Sequence, residues 1–532
     1  MSQNPSKEVS QPQNTKFIEK FIKAIEKAGN KLPHPLTLFT YLSIFVLILS
    51  YFLAKTDISV TYIAAARNAG EAATETTVSV VNLLAKDQLQ AMASNFVKTY
   101  INFFPIGLVV VMMLGVAVAE QSGLISAIMK KLVLGAPDYL VTFIVALVGI
   151  CANVASDAGI VFAPAIGGSV FYALGRHPLA GIIAGYVAAY GGFSANALVA
   201  GTDALLAGIT QSVAGSFGID APIHPLMNWF VMAASTFMLA FIVTIVTEKV
   251  ITPILGEFKP ENPELKAVDK SEFVLKEEEL QGLKMAGIAT AVFFGILLLL
   301  TVPQNGFFRS EAGELLPRSP LIDSILFLLF AFFVVVGIAY GKVAGTIKSD
   351  KDIAKYMQSG LVGVAGFLVV CLPASMFVEW FGKSNISTVL AVKGAQVLEH
   401  LNISGIPLIL LFVILCAGMN LFITSGTAKW MILAPIFVPM FAMMNISPAA
   451  TQMAYRIGDS TTNIISPLSA YLPVVLGMME RYKSKDQEIG IGTVISLMLP
   501  YSVILLVSWI IFFGLWLLLG LPMGPGVSTF LG

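Results

Sequence analysis

The chain has 532 residues, of which 56% are hydrophobic and 12% are charged, and its formal net charge is zero. Soluble domains carry about 25% charged residues, so this composition excludes an ordinary soluble protein and predicts several membrane spans. The balanced charge gives no argument for nucleic acid as a partner. The three cysteines and four histidines match no metal-binding or redox spacing, so we expect no cofactor bound by them.

The N-terminal segment, residues 1–35, is polar and rich in lysine. It has no apolar core, so we expect no cleavable signal peptide. Because basic residues are retained on the cytoplasmic side of a membrane, its lysines predict a cytoplasmic N-terminus.

The apolar runs predict an all-α polytopic membrane protein with nine spans and two re-entrant hairpins. Residues 36–54 form the first scaffold helix, and residues 55–100 form an extracytoplasmic insert that is long enough for helices outside the membrane. These are followed by a first repeat at 101–250, a cytoplasmic loop at 251–285, scaffold helices at 286–341 and a second repeat at 355–520. The basic residues agree with this alternation of sides everywhere except in the stretch 383–400.

Each repeat contains an apolar run that is too long for one span and a span that polar residues interrupt. The long runs, 139–172 and 403–444, are predicted hairpins, and the interrupted spans, 179–210 and 446–480, are predicted broken helices. The flanking basic residues indicate that one hairpin enters from the cytoplasm and the other from outside. Inverted repeats with broken helices are typical of secondary transporters, whose sites lie near the middle of the membrane.

Two short motifs recur in the two repeats. VFAP at 161–164 follows the first hairpin turn, and ILAP at 432–435 follows the second. The motif G-x-x-S-x-N at 191–196 recurs as G-x-x-T-x-N at 458–463. Because each motif lies in the corresponding predicted element, the two together favour an internal repeat over chance similarity.

Three aspartates, Asp157, Asp203 and Asp459, lie inside apolar stretches. Charged side chains at membrane depth are costly, so they are rare there and mark ion or substrate pathways. A carboxylate among hydroxyl, amide and carbonyl oxygens suits Na⁺ or proton exchange. Around Asp459 such oxygens are available from its own broken helix and from the facing hairpin: Ser460, Thr461, Thr462, Asn463, Asn420, Thr424, Ser425 and Thr427.

The turn of the first hairpin has two interpretations. Ser156 and Asp157 are candidate ion-coupling residues, because they place a hydroxyl and a carboxylate at a break in the membrane. They suit a turn cap equally well, since serine and aspartate side chains hydrogen-bond to nearby backbone N–H groups.

Arg456 also has two interpretations. It lies three residues before Asp459, so on a helix the two side chains share a face and can neutralise each other. Alternatively, its planar guanidinium binds a substrate carboxylate through two hydrogen bonds. Trp430, after the second hairpin turn, offers a flat apolar surface for an aromatic ring or for the lipid interface. Its neighbour Lys429 is either a deep countercharge or a lysine that reaches the membrane surface.

Six segments together resemble the p-aminobenzoyl-glutamate transporter (AbgT) family, and the likeness covers nearly the whole chain. They are NVASDAG, GRHPLAGI, GGFSAN, GTDALLAGIT, SGTAKW and YRIGDSTTNIISP. The resemblance implies a homodimer in a bacterial inner membrane, with nine spans and two hairpins in each protomer. It also implies uptake of p-aminobenzoyl-glutamate, or export of p-aminobenzoate and sulfonamide drugs, driven by an ion gradient.

The resemblance implies roles for individual residues as well. Asn420 and Asp459 fall where family members bind Na⁺. On the substrate path the family pattern places Asp203, Thr427, Trp430, Pro448 and Arg456, with Thr427 standing where some members have serine. We add the two asparagines of the repeated motif, Asn196 as a substrate ligand and Asn463 as an ion ligand.

Other functions remain consistent with the residues. The family belongs to a wider group of ion-coupled carriers of dicarboxylates, so another organic anion is possible as the substrate. The pair Gly458-Asp459 and a second aspartate suggest an intramembrane aspartyl protease, although the other aspartates lie in the opposite repeat. A channel is a third possibility. Broken helices in inverted repeats argue against a simple pore. Coupling to Na⁺ or to H⁺, and import or export, both stay open.

Overall fold

The computed structural model describes residues 33–64, 74–155, 157–258, 275–482 and 489–531, and the regular structure in these ranges is almost entirely helical. The helices of the first half are α1 (Pro35–Ala54), α2 (Lys86–Ile101), α3 (Phe104–Gln121), α4 (Leu124–Leu134), α5 (Val141–Cys151), α6 (Asp157–Ala173), α7 (Pro178–Tyr186), α8 (Gly201–Ser216), α9 (Trp229–Val246) and α10 (Thr252–Leu255). The helices of the second half are α11 (Glu277–Thr301), α12 (Pro320–Asp323), α13 (Ile325–Val343), α14 (Asp350–Lys383), α15 (Ile386–His400), α16 (Gly405–Asn420), α17 (Gly426–Met443), α18 (Pro448–Thr462), α19 (Leu472–Glu480) and α20 (Ile491–Leu518).

Within these ranges, eight helices are long and apolar enough to cross a membrane. Seven of them lie outside the two predicted hairpins: α1, α3 together with α2, α9, α11, α13, α14 and α20. The eighth, α17, is the second arm of the second hairpin. The predicted hairpins correspond to α5–α6 and α16–α17, and the predicted broken spans correspond to α7–α8 and α18–α19. The count of nine spans and two hairpins stays a prediction. The predicted all-α polytopic fold is confirmed.

A helix that the sequence analysis did not predict precedes each hairpin. The chain bends by 116° between α4 and the first arm of the first hairpin, and by 117° between α15 and the first arm of the second. At the second bend Asn402 and Gly405 have positive φ angles of 54° and 59°, in the left-handed region that asparagine and glycine tolerate. The helix α15 covers most of the stretch 383–400, whose basic residues did not agree with the predicted alternation between the two sides of the membrane.

The insert at 55–100 contains a β-hairpin as well as the helix α2. Strands β1 (Ser59–Ala64) and β2 (Thr74–Ser79) pair antiparallel, with Ser59 opposite Ser79. The Asn385 side-chain amide donates to the Ser79 carbonyl at 2.9 Å, which ties the insert to the start of α15. The sequence analysis expected only helices here, but the threonine and valine side chains of β2 favour a strand.

The predicted loop at 251–285 and the predicted N-terminal segment lie partly outside the described residues. Residues 1–32 and 259–274 are not described. The helix α11 begins at Glu277, ahead of the predicted scaffold boundary at 286. Its first turn is acidic, and the Glu279 carboxylate accepts from the Lys276 N–H at 2.8 Å, which stabilises a helix start at this point.

Glycines allow the first hairpin to pack closely on the first broken helix. A Cβ atom on Gly167 of α6 would lie 2.2 Å from the Gly181 carbonyl oxygen, and one on Gly181 of α7 would lie 2.1 Å from the Gly167 oxygen. Only hydrogen fits at these two positions. Such contacts between small residues bring membrane helices close together. This one holds α6, the second arm of the first hairpin, against α7.

The two broken helices contact each other where each is interrupted. The Ser194 backbone N–H donates to Ser460 Oγ at 2.8 Å, and the Asn463 side-chain amide donates to the Tyr190 carbonyl at 3.3 Å. A break leaves backbone groups without helical partners, and inside a membrane these groups must be satisfied by other parts of the protein. Side chains of the second repeat therefore satisfy two backbone groups at the break of the first.

The repeated motif does not occupy equivalent positions in the two broken helices. Gly191 is the last residue of the π-helical turn Val187–Gly191 that continues α7. Gly458 instead lies inside α18, four residues before its end at Thr462. A Cβ atom there would lie 2.3 Å from the Val413 carbonyl oxygen of α16, so Gly458 serves helix packing and does not mark a break. The motif therefore lies in both broken helices as predicted, at the end of a helix in the first and inside a helix in the second.

Candidate functional site

A buried ion pair joins the two broken helices. Arg456 Nη2 on α18 lies 2.6 Å from Asp203 Oδ1 on α8, and each residue is only 2% exposed. The carboxylate is held in the first turn of α8, where its Oδ2 accepts from the Ala200 N–H at 2.7 Å. The positive end of the helix dipole favours a negative charge at this position. The alternative pairing of Arg456 with Asp459 is therefore wrong.

The ion pair leaves other donors of Arg456 open. Its Nε and Nη1 atoms are buried and have no hydrogen-bond partner among the described residues. A buried donor without a partner costs about 1–3 kcal/mol, so such groups are uncommon outside functional sites. A guanidinium binds carboxylates strongly through its N–H groups, and Arg456 thus has the donors that an anionic ligand needs.

A second buried ion pair lies between the second hairpin and α18. Lys429 Nζ on α17 is 2.5 Å from Asp459 Oδ1, and the lysine is completely buried. The Tyr455 hydroxyl shares its proton between the Gly426 carbonyl and the same carboxylate oxygen, which is 3.2 Å away. Of the two interpretations of Lys429, the deep countercharge is correct and the lysine that reaches the membrane surface is wrong.

Asn420, at the end of α16, joins this pair to further oxygens. Its Oδ1 accepts from Lys429 Nζ, while its Nδ2 contacts the Asp459 carbonyl, Thr462 Oγ1 at 3.0 Å and Asn463 Oδ1 at 2.9 Å. An amide nitrogen has two hydrogens, so three oxygens compete for two donors. A surplus of oxygen acceptors suits a hard cation. The structure brings together the predicted ion ligands Asn420, Asp459 and Asn463.

Trp430 lies inside the protein. Its ring stacks on Tyr455 with centroids 4.7 Å apart and an interplanar angle of 27°, and the residue has no exposed surface. The indole N–H donates to Thr210 Oγ1 at 3.0 Å, and that hydroxyl donates to Gln452 Oε1 at 2.6 Å. The lipid-interface interpretation is therefore wrong.

Asn196 lies in the break between α7 and α8 and is buried. Its Oδ1 accepts from the Leu198 N–H at 2.9 Å, which stabilises the turn that leads into α8. Its Nδ2 has no partner among the described residues. Asn196 therefore keeps an open donor in the first repeat, as the predicted substrate ligand requires.

The remaining predicted residues have less specific surroundings. Pro448 is the first residue of α18. The fixed φ angle of proline suits the first position of a helix, so Pro448 helps to set where α18 begins. Thr427 is half-buried in the first turn of α17. Ser156, and the side chain of Asp157 at the start of α6, lie outside the described part of the chain.

Three residues of the site were not singled out from the sequence: Tyr455, Gln452 and Thr210. Helical spacing offers a signal for two of them. Gln452 lies one turn before Arg456 on α18, and Thr210 lies two turns after Asp203 on α8, so each shares a helix face with a predicted residue.

Comparison with known proteins agrees with the family resemblance. A family model described as "AbgT putative transporter family" matches residues 20–531. A p-aminobenzoyl-glutamate transport protein of Escherichia coli (strain K12) is 35% identical over 503 residues, which are 94% of this chain and 96% of that protein.

Two solved structures share the fold. The Alcanivorax borkumensis YdaH transporter, whose crystal structure is described as having an unusual topology, is 37% identical and superposes with a TM-score of 0.84 over 93% of this chain and 100% of its own. Neisseria gonorrhoeae MtrF, described as illuminating a class of antimetabolite efflux pumps, is 38% identical, with a TM-score of 0.89 over 95% of this chain and 100% of its own. With a family match along nearly its whole length and the same fold as these transporters, the chain belongs to the AbgT transporter family.

Proposed function

We propose that this protein is a secondary active transporter of p-aminobenzoyl-glutamate or a closely related aromatic carboxylate, driven by a coupling cation. The observation that carries the proposal is the buried guanidinium of Arg456, which keeps two nitrogens without partners beside its ion pair with Asp203. Broken helices around such a group are the usual setting of a carrier's anion site. The name of the Escherichia coli relative supports this substrate class.

The substrate combines an aromatic ring, an amide and carboxylates, and the site offers a partner for each. Arg456 receives a carboxylate. Trp430 offers a ring face for stacking, and aromatic pairs of this kind are worth about 0.5–1.5 kcal/mol beyond the area that they bury. Gln452, one turn from Arg456 on the same helix, and Thr210 offer polar groups to the amide.

The coupling cation binds at the oxygens around Asp459. Asn420 and Asn463 contribute side-chain oxygens, and the end of α18 contributes backbone carbonyls. A carboxylate with these neighbours serves Na⁺ or H⁺, and we propose one of these two ions as the coupling ion. No organic cofactor is part of the proposal.

A second function is export of p-aminobenzoate and sulfonamide drugs. The observation that favours it is the likeness to MtrF, which is described with a class of antimetabolite efflux pumps. Sulfonamides resemble p-aminobenzoate in shape, so a site that packs the ring of one on Trp430 would accept both compounds. If the cation and the substrate enter the cell together (symport), the substrate is imported. If the cation enters while the substrate leaves (antiport), the substrate is expelled.

We further propose that the protein works as a homodimer in the bacterial inner membrane, with its N-terminus in the cytoplasm. The lysines of residues 1–35 support this orientation. We do not propose an enzyme, because Asp203 and Asp459 are paired with separate basic side chains. An aspartyl protease instead needs two carboxylates that share a proton.

The test is flux in proteoliposomes that contain the purified protein. Uptake and efflux of radiolabelled p-aminobenzoyl-glutamate and p-aminobenzoate are measured with Na⁺ and pH gradients imposed separately and in both directions. We expect saturable flux that follows one of the gradients. Flux that neither saturates nor responds to a gradient would show a channel instead.

The matched variants for this test are Arg456→Gln and Arg318→Gln. Arg456→Gln removes the buried anion site and should abolish saturable flux. Arg318 is 65% exposed in its side chain and pairs with the equally exposed Asp220, so its replacement should leave flux intact.

A further inference from the structure

The oxygens of the proposed cation site are occupied by a cation of the chain itself. Lys429 Nζ lies 2.5 Å from Asp459 Oδ1 and also donates to Asn420 Oδ1. These are two of the side-chain oxygens that a coupling ion would use. The ammonium is fully buried, so no water competes for these contacts from outside.

The charges around Asp459 oppose the binding of two cations at once. Its Oδ1 already accepts from Lys429, and the Tyr455 hydroxyl, which is shared with the Gly426 carbonyl, lies 3.2 Å away. Its Oδ2 faces the tip of the second hairpin, where a Cβ atom on Gly426 would lie 3.0 Å away. A metal ion on the same carboxylate would lie within a few ångströms of the ammonium, and like charges repel strongly in a buried site. The two cations therefore exclude each other.

The neighbouring oxygens distinguish this pair from a purely structural one. The Asp459 carbonyl, Thr462 Oγ1 and Asn463 Oδ1 compete for the two hydrogens of the Asn420 amide. Departure of the ammonium would free Asp459 Oδ1 and Asn420 Oδ1 next to these acceptors. The result is a set of hard oxygens of the kind that binds Na⁺.

We propose that Lys429 is a tethered cation that competes with Na⁺ for Asp459 and Asn420. The proposal rests on the proposed function, since it assigns a regulating residue to the same ion site. Lys429 belongs to the second hairpin and Asp459 to the broken helix α18, so exchange of the two cations changes a contact between these elements. Without Na⁺, the ammonium neutralises Asp459, and the empty carrier has no unpaired charge to return through the membrane.

The test is binding of radioactive sodium to the purified protein in detergent, without substrate. In the wild type the ammonium occupies the site, and only the fraction of molecules from which it has left can bind Na⁺. Lys429→Met removes the competitor, so we expect the half-saturating Na⁺ concentration to fall by about tenfold or more. Lys383→Met, which removes a half-exposed ammonium paired with Glu379, is the matched control and should leave Na⁺ binding unchanged.

Two further variants keep the test decisive. Lys429→Met/Asp459→Asn retains a neutral pair and should show no saturable Na⁺ binding. If Lys429→Met does not fold, Lys429→Gln replaces it, with the Na⁺-dependent rise in unfolding temperature as the readout. A folded Lys429 variant that binds Na⁺ no more tightly than the wild type would overturn the proposal.

The wild-type flux experiment separates this proposal from the proposed function. Flux that is independent of any ion, together with tighter Na⁺ binding by Lys429→Met, would refute ion coupling and support the competition. Ion-coupled flux together with unchanged Na⁺ binding by Lys429→Met would support the transporter and refute the competition.

Discussion

Each of the two buried carboxylates of the site has its own buried cation. Arg456 neutralises Asp203, and Lys429 neutralises Asp459. Loss of one partner from such a pair leaves an uncompensated charge in a medium where it is poorly solvated, which costs about 3–5 kcal/mol. At the scale of single residues, both function and stability therefore depend on these two contacts.

The first prediction concerns the Arg456–Asp203 pair. Asp203→Asn should lower the free energy of unfolding by about 3–5 kcal/mol, because Arg456 stays buried without a countercharge. Asp203→Asn/Arg456→Met should recover most of this loss. The measurement is thermal and denaturant unfolding of the purified variants in detergent.

Asp220→Asn is the control for this prediction. Asp220 forms an exposed pair with Arg318, and exposed pairs contribute about 0–1 kcal/mol. The single variant Arg456→Met is measured as well. If the double variant lost as much stability as Asp203→Asn and Arg456→Met lose together, the two residues would not interact, which would contradict the prediction.

The charged residues of the site were predictable from the sequence, but their partners were not. Asp203, Arg456 and Asp459 are conspicuous because charges are rare in apolar runs. Local spacing suggested that Arg456 pairs with Asp459, three positions away, whereas its partner lies 253 positions away in the other repeat. A single sequence carries no signal for that contact, or for Lys429 as the partner of Asp459.

At the scale of helices, the observed helices begin and end close to the bounds that the apolar runs predicted for both hairpins and both broken spans. The helices α4 and α15 were missed because each connects two larger elements and has no apolar run of its own that is long enough to span the membrane. Their bends are nearly equal, 116° and 117°, as an internal repeat predicts.

The second prediction concerns the packing of α18 on α16. A Cβ atom on Gly458 would lie 2.3 Å from the Val413 carbonyl oxygen and 2.7 Å from Cys416 Cβ, so Gly458→Ala forces the helices apart. Overpacking of this kind costs about 1–3 kcal/mol, and we expect a corresponding loss in the free energy of unfolding.

The control for Gly458→Ala is Gly363→Ala. Gly363 lies in α14, and nothing stands within 4 Å of the position where its Cβ would be. Alanine favours a helix over glycine by about 0.5–1 kcal/mol, so this variant should be as stable as the wild type or more so. Equal stability of the two variants would show that α16 and α18 do not pack as closely as described.

At the scale of the whole molecule, the site forms where the two repeats meet. Ser194 of one break bonds to Ser460 near the other, and Asp203 of the first repeat bonds to Arg456 of the second. Movement of one hairpin-bearing unit against the scaffold would alter these contacts and the access to the site from each side of the membrane. This arrangement underlies the proposal that binding of an ion at Asp459 drives transport of a substrate at Arg456.

The most direct test of that claim is accumulation of radiolabelled p-aminobenzoyl-glutamate in proteoliposomes, under a Na⁺ gradient and separately under a pH gradient. The wild type is compared with Lys429→Met/Asp459→Asn, which neutralises the buried pair without leaving an unpaired charge. The matched control is Lys383→Met/Glu379→Gln, which neutralises an ion pair at least one-third exposed on α14. We predict that the wild type and the control accumulate substrate under one of the gradients and that the buried double variant does not. Accumulation by that variant at the level of the wild type would contradict the account.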